Sequence, residues 1–229
     1  MIRKPNFKLN WKYALGELAL IFVGITLAVA FQNWNEDRRL ASNKLTYYKN
    51  LVIDIEKDNA QLETLLLSID EHNRFYRRVD SLVATDNSSG EKFEQMLSYF
   101  VNDFFLFEFF PNTDTFDDLI ASGNIKILDP EIRFELTTLS NLHTKYRRYE
   151  SGNNQGYLDL SARLYEMTQV FDRNQAWSEF LPKPDEKAKT IFFNLIRFTE
   201  DSDRRTEVRY NELIQLNKTL IRKIEDELR

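Results

Sequence analysis

Apolar positions follow three regimes along the chain. From Ala14 to Phe31 they are almost continuous, interrupted only by Glu17 and Thr26. Beyond Trp34 they thin out and recur at Leu40, Tyr47, Tyr48, Leu51, Ile55, Leu62, Leu66, Ile69, Tyr76, Val79 and Val83, steps of three, four and seven that mark one stripe of a helix. The residues between them include Glu56, Lys57, Asp58, Glu63, Asp70, Glu71, Arg77 and Arg78, which the pattern assigns to a mostly solvated face. Neither Gly nor Pro occurs from Thr26 to Ser89, so nothing compels a helix to stop where the apolar run ends. A continuous helix from Asn33 to about Ala84 would project roughly 75 Å as a stalk at 1.5 Å per residue.

The third regime is punctuated. Thr85-Asp86-Asn87-Ser88-Ser89-Gly90 is a polar turn cluster, and Glu91 to about Phe110 then reads as a second, Phe-rich helix. Pro111-Asn112-Thr113-Asp114 restarts the chain: Thr113 or Asp114 caps a short helix ending at Ser122, and Gly123 is placed for a left-handed stop. Ile125 to Leu128 is extended by elimination. Asp129-Pro130-Glu131 supplies an N-cap and a proline at the first helical position, opening a helix to about Glu150 that Ser151-Gly152-Asn153-Asn154 ends. A further helix is expected from Gln155 to Phe171. After Pro182-Lys183-Pro184 the chain lacks Gly and Pro from Asp185 to Arg229. There Ile191, Leu195, Phe198, Val208, Leu213, Leu216, Leu220, Ile224 and Leu228 predict a second long helix, interrupted by a polar stretch from Thr199 to Glu207. Two long helices of similar length are expected to pack antiparallel, returning the C-terminus toward the membrane. The fold class is therefore all-α: residues 1–12 a cytoplasmic basic N-terminus, 13–34 a transmembrane helix, 35–84 a stalk, 85–184 a smaller helical head with one short extended segment, and 185–229 the returning helix.

The first regime has the length and flanks of a membrane span. About 18 apolar residues approach what crosses a hydrocarbon core of roughly 30 Å, and Trp11, Tyr13 and Trp34 stand where interfacial aromatics belong. A cleaved signal peptide, with Ala28, Val29 and Ala30 as its site, and a buried core helix are the competing assignments. A long apolar region without a helix breaker disfavours the first, and a uniformly apolar circumference disfavours the second. Arg3, Lys4, Lys8 and Lys12 precede the run without one acidic residue, whereas Arg38, Arg39 and Lys44 follow it. The basic excess favours a cytoplasmic N-terminus and, in a Gram-negative inner membrane, a periplasmic C-terminal domain.

The segments Tyr13-Ala14-Leu15-Gly16-Glu17-Leu18, Gly24-Ile25 and Asn33-Trp34-Asn35-Glu36-Asp37-Arg38 resemble a bacterial family of short single-pass membrane proteins of the "domain of unknown function" kind. The resemblance extends to Tyr47-Tyr48-Lys49-Asn50-Leu51 and, more loosely, to Leu119-Ile120-Ala121-Ser122-Gly123-Asn124-Ile125. It implies a membrane address and no particular activity.

At 100° per residue, Glu17, Gly24, Ala28 and Asn35 fall in one narrow stripe of the anchor. Gly24 and Ala28 form a small-xxx-small pair that lets helix backbones approach, and a carboxyl group facing lipid is unfavourable without a partner. The stripe is a candidate interface between copies of the anchor. Two alternatives stand beside it: Glu17 lies about 7 Å inside the span, within reach of headgroup water or Lys12, or a ring of Glu17 residues lines an ion or proton path.

Composition narrows the chemistry. With 31 basic and 36 acidic residues the net charge is -5, which offers no field for a nucleic-acid backbone. No Cys is present, so disulfides, thiolate catalysis and Cys-based zinc sites are excluded. His72 and His143 sit on predicted helices without ligand spacing and read as ordinary surface or boundary residues. Asp114, Asp117 and Asp118 suit the first turn of a helix better than a cation site. The pairs Arg77-Arg78, Arg147-Arg148 and Arg204-Arg205 are dispersed among acids. No catalytic, metal or cofactor site is expected. Phe104, Phe105, Phe107, Phe109 and Phe110 form a candidate patch for a lipid or protein partner, with burial between helices as the alternative. The sequence thus points to a membrane-anchored structural or interaction protein, self-associating or docking a partner. A channel-like accessory built on Glu17 and a sensor acting through a partner are the alternatives.

Overall fold

The computed structural model describes residues 11–84, 108–168 and 186–229, together with Phe93, Met96, Leu97, Phe100 and Leu106. Regular structure among them is helical: α1 (Trp11–Ala84), α2 (Asp114–Ala121), a 3-10 turn (Asn124–Ile127), α3 (Pro130–Thr168) and α4 (Glu186–Glu227). The chain divides into two compact units, Met1–Lys49 and Asn50–Arg229.

In the first unit α1 is long and apolar enough to cross a membrane: an 18-residue window has a mean hydropathy of 2.0 and none of it is buried. Leu18, Leu20, Phe22, Leu27 and Phe31 are each at least 65% exposed. At its end the Trp34 ring lies tilted against Phe31, with ring centroids 5.8 Å apart, and carries the Arg38 guanidinium 5.2 Å from its ring. Thr26, the polar break in the run, donates its hydroxyl to the Phe22 carbonyl at 2.8 Å, so that hydroxyl is satisfied within the helix.

The second unit is built on three long helices. Asn59 meets Asn217, His72 meets Asp203, and Asp80 meets Arg197, so α4 runs antiparallel to α1 as expected for two long helices. Lys223 reaches Glu131 and Glu135, Tyr146 reaches Glu212, and Gly156 lies under Phe198, which sets α4 antiparallel to α3 as well. The α1 stripe Leu51, Ile55, Leu62, Ile69, Tyr76 and Val79 is buried. At one end Phe75, Tyr76 and Val79 join Phe93, Met96, Leu97, Phe100, Leu164, Phe192, Leu195 and Ile196 in a single apolar cluster. Its rings meet edge-on, Phe93 and Phe100 standing 5.4 and 5.7 Å from Phe192. Such pairs add about 1 kcal/mol each beyond their buried area.

Local signals held where capping chemistry is explicit. Asp129 accepts the Glu131 N–H at 2.8 Å with Pro130 as the first residue of α3, and Gly123 takes φ 72° after α2. Elsewhere tertiary packing overrode them. Ser151-Gly152-Asn153-Asn154 does not end a helix: α3 continues through it to Thr168, because Gly156 seats the Phe198 ring and the flanking turns pack on α4. Residues 125–127 close into the 3-10 turn instead of an extended segment, and only Leu128 is extended. Phe93, Met96, Leu97 and Phe100 are helical, but Glu108–Phe110 are not, so the Phe-rich helix does not reach Phe110. Val83, Val208 and Leu216, assigned to apolar stripes, face outward.

Candidate functional site

The polar interruption from Thr199 to Glu207 is the most buried polar stretch of α4. Thr199, Ser202, Asp203 and Thr206 are all buried, at the same three- and four-residue steps that carry Leu195 before them and Tyr210 and Leu213 after. Asp203 is the centre of this seam. Its Oδ2 faces His72 Nδ1 at 2.9 Å and accepts the Tyr76 hydroxyl at 2.6 Å, both from α1. Burial, followed by the adjacent Asp203 charge, pushes the Tyr76 hydroxyl far above its ordinary range, so it stays a donor. A cavity of about 30 Å³ opens beside the seam, lined by His72, Asp203, Ser202, Thr206, Glu150 and Asn153 among others. That volume holds about one water molecule. An Asp–His pair with a hydroxyl on the same oxygen is the raw material of an acid–base relay, and the cavity beside it is small. The histidines are therefore not surface residues: His72 is 2% and His143 8% exposed.

A second polar layer holds the irregular segment Glu108–Thr113, which lies outside any helix. Phe109 N–H donates to Glu150 Oε2 at 3.1 Å. The Gln61 amide, oriented to satisfy both groups, donates to the Phe110 carbonyl at 2.8 Å and accepts its N–H at 3.2 Å. Asn112 sends both its backbone N–H and its side-chain Nδ2 to Asp58 Oδ1, each at 2.7 Å. One turn earlier on α1, Asp54 accepts the Thr115 N–H and hydroxyl, capping the start of α2 from another helix. Thr113 makes no capping bond of its own and instead donates to Asp117 at 2.7 Å. Asp58, assigned to a solvated face, is 1% exposed because this segment covers it. Burial pushes its carboxyl up to about 6 despite the two Asn112 donors. Glu150, also buried, is raised for the same reason.

Among the anchor candidates, Glu17, Gly24, Ala28 and Asn35 are exposed, and a Cβ built on Gly24 would meet nothing within 4 Å. Of the aromatic candidates, Phe109 is buried, its ring 5.5 Å from that of His143 and 6.2 Å from that of Tyr210. Phe110 is exposed, with the Arg147 guanidinium 5.3 Å from its ring. Phe104, Phe105 and Phe107 lie outside the described residues. Among the described residues no group of three or more His, Cys, Asp and Glu side chains is placed to hold a metal ion. Beyond the expected sites, Phe134 is 71% exposed beside an apolar groove of about 230 Å³ between α3 and α4, floored by Leu139 and Leu220.

No curated protein and no solved structure matches the chain. A model of a family of unknown function, DUF6090, matches residues 17–163, from Glu17 in the apolar run to within five residues of the end of α3. That match takes in most of the apolar run, Asp54 and Asp58, the irregular segment they hold, and Glu150, and it ends before α4. The chain belongs to this family of unknown function.

Proposed function

We propose that the protein is a single-pass membrane protein whose N-terminal helical stretch anchors a helical interaction module, residues 50–229, at one face of the bilayer. The observation that carries this is the uncovered apolar surface of α1, an 18-residue window of mean hydropathy 2.0 with none of it buried. Water does not tolerate an unpartnered apolar helix of that length, and a bilayer core does. The aromatic belt at Trp11, Tyr13 and Trp34 and the basic residues before it support insertion with the N-terminus in the cytoplasm and the module in the periplasm of an inner membrane. The buried polar seam favours an interaction module over an enzyme, since His72 and Asp203 face a cavity of about 30 Å³. The exposed stripe of Glu17, Gly24, Ala28 and Asn35 is the surface through which anchors of separate copies associate.

The chain has no native Cys, so single cysteines report topology cleanly. Asn6→Cys and Lys126→Cys variants in intact cells are treated with a membrane-impermeant maleimide. Labelling of the Lys126 position alone, with Asn6 reached only after permeabilisation, is the expected result. The reverse pattern overturns the orientation, and equal labelling of both in the soluble fraction overturns the anchor.

A further inference from the structure

Three buried titratable side chains surround the segment Glu108–Thr113. Glu150 holds the amide of Phe109 and Asp58 holds the amide and side chain of Asn112. Below them the Phe109 ring closes over His143, whose Nε2 is buried with no hydrogen-bond partner among the described residues. Asp58, Asn112, Thr113 and His143 line one cavity of about 30 Å³, so the acid and the imidazole share a single roof made by this segment. Lifting the roof would return both to water at once.

We propose that Glu108–Thr113 is a proton-balanced clasp: opening it releases a proton on the carboxyl side and takes one up at His143, so that the two linkages offset each other in mildly acidic solution.

The groups facing each member set the signs. Asp58 is raised from 3.8 to about 6 by burial first; the Asn112 donors and Lys57 oppose this and Asp54 adds to it. Glu150 is raised by burial, with the Tyr210 hydroxyl, the Phe109 amide and Arg209 opposing and Glu108 adding. His143 is lowered from 6.5 to about 4 by burial alone. On the outer side of the clasp, Arg147 pairs with Glu108 at 3.4 Å. For Asp58, whose closed-state value is the higher, the contribution to closure is complete below pH 3.8 and lost as pH rises through 6. Two pKa units make that a change of about 100-fold in the opening equilibrium. For His143, whose closed-state value is the lower, the contribution is complete above pH 6.5 and lost as pH falls through 4, by about 100-fold or more. Between pH 4 and 6 the two slopes oppose each other, and Glu150 adds to the Asp58 side.

Hydrogen exchange of the peptide spanning residues 106–115, in the detergent-solubilised full chain from pH 4.5 to 7.5 and corrected for intrinsic exchange, reads the clasp directly. In the parent protein its protection should vary by less than about tenfold, within the offset of the two slopes. His143→Gln should make protection fall as pH rises, by about 25-fold across the range from Asp58 and further in the same direction from Glu150. Asp58→Asn should tilt the profile the other way, and Glu150→Gln should tilt it in the same sense as Asp58→Asn. Glu150→Gln serves as the acid-side variant should Asp58→Asn fail to fold. Unchanged slopes in these variants, tilts of the same sign for the imidazole and carboxyl variants, or changes shared equally by α4 peptides would overturn the proposal.

Discussion

Two glycines one turn apart on α3 give a measurable separation of helix propensity from packing. A Cβ on Gly152 would meet nothing within 4 Å, whereas a Cβ on Gly156 would lie 2.6 Å from Phe198 Cζ and 3.1 Å from its Cε1. Both positions are interior to a helix of 39 residues. Gly152→Ala should therefore keep the full propensity gain of about 1 kcal/mol, worth a rise of roughly 2–4 °C in Tm for a domain of this size. Gly156→Ala gains the same amount but must displace the Phe198 ring, and overpacking of this kind costs about 1–3 kcal/mol. The net effect of Gly156→Ala lies between neutral and a loss of about 2 kcal/mol, so the two variants should differ by about 1–3 kcal/mol. Urea unfolding of the detergent-solubilised chain, followed by far-UV circular dichroism, measures that difference. Adding Phe198→Leu should return most of it, a non-additivity expected only for groups in contact. Equal stabilisation by the two alanines, within about 0.5 kcal/mol, would refute the close approach of α3 and α4 at this point.

The remaining expectations concern the polar layers and the anchor. Asp203→Ala removes the partner shared by His72 and Tyr76 and should cost about 3 kcal/mol in urea unfolding, more than any exposed carboxylate of α4. Phe192→Ala, in the ring cluster with Phe93 and Phe100, should cost about 3–5 kcal/mol by the same measurement. Lys223→Gln should cost less than about 1 kcal/mol in urea unfolding although Lys223 touches both Glu131 and Glu135, because the cluster lies at the surface with Glu131 69% exposed. Gly24→Ile, which fills the small-residue stripe of the anchor, should shift crosslinked anchor complexes toward monomer while leaving the circular dichroism of the helices intact.

Much of this architecture was legible in the order of residues, and the exceptions share a cause. The apolar run, the α1 stripe from Leu51 to Val79, the Asp129-Pro130 start of α3 and the left-handed Gly123 are local signals, each decided by neighbours within one or two turns. The seam of Thr199, Ser202, Asp203 and Thr206 repeats at the correct helical spacing, but its residues are polar, so hydropathy reads a gap where the packing period continues. Its signal was the spacing alone. The clasp was hidden for a different reason: its amides are satisfied by Asp58 and Glu150, 54 and 41 residues away, and no window of sequence contains both partners. The Phe-rich composition around it suggested a helix, yet Phe109 is buried from a segment outside any helix. Gly152 carried the opposite error: a residue type that ends many helices lies inside α3, and it is Gly156, one turn on, whose missing side chain lets Phe198 of α4 approach.

The most direct test of the anchor is alkaline carbonate extraction of membranes from cells expressing the chain, compared with a variant carrying Leu20→Asp, Val23→Asp and Leu27→Asp. The native chain should stay with the lipid pellet and the triple variant should be released; recovery of the native chain in the supernatant would contradict the account.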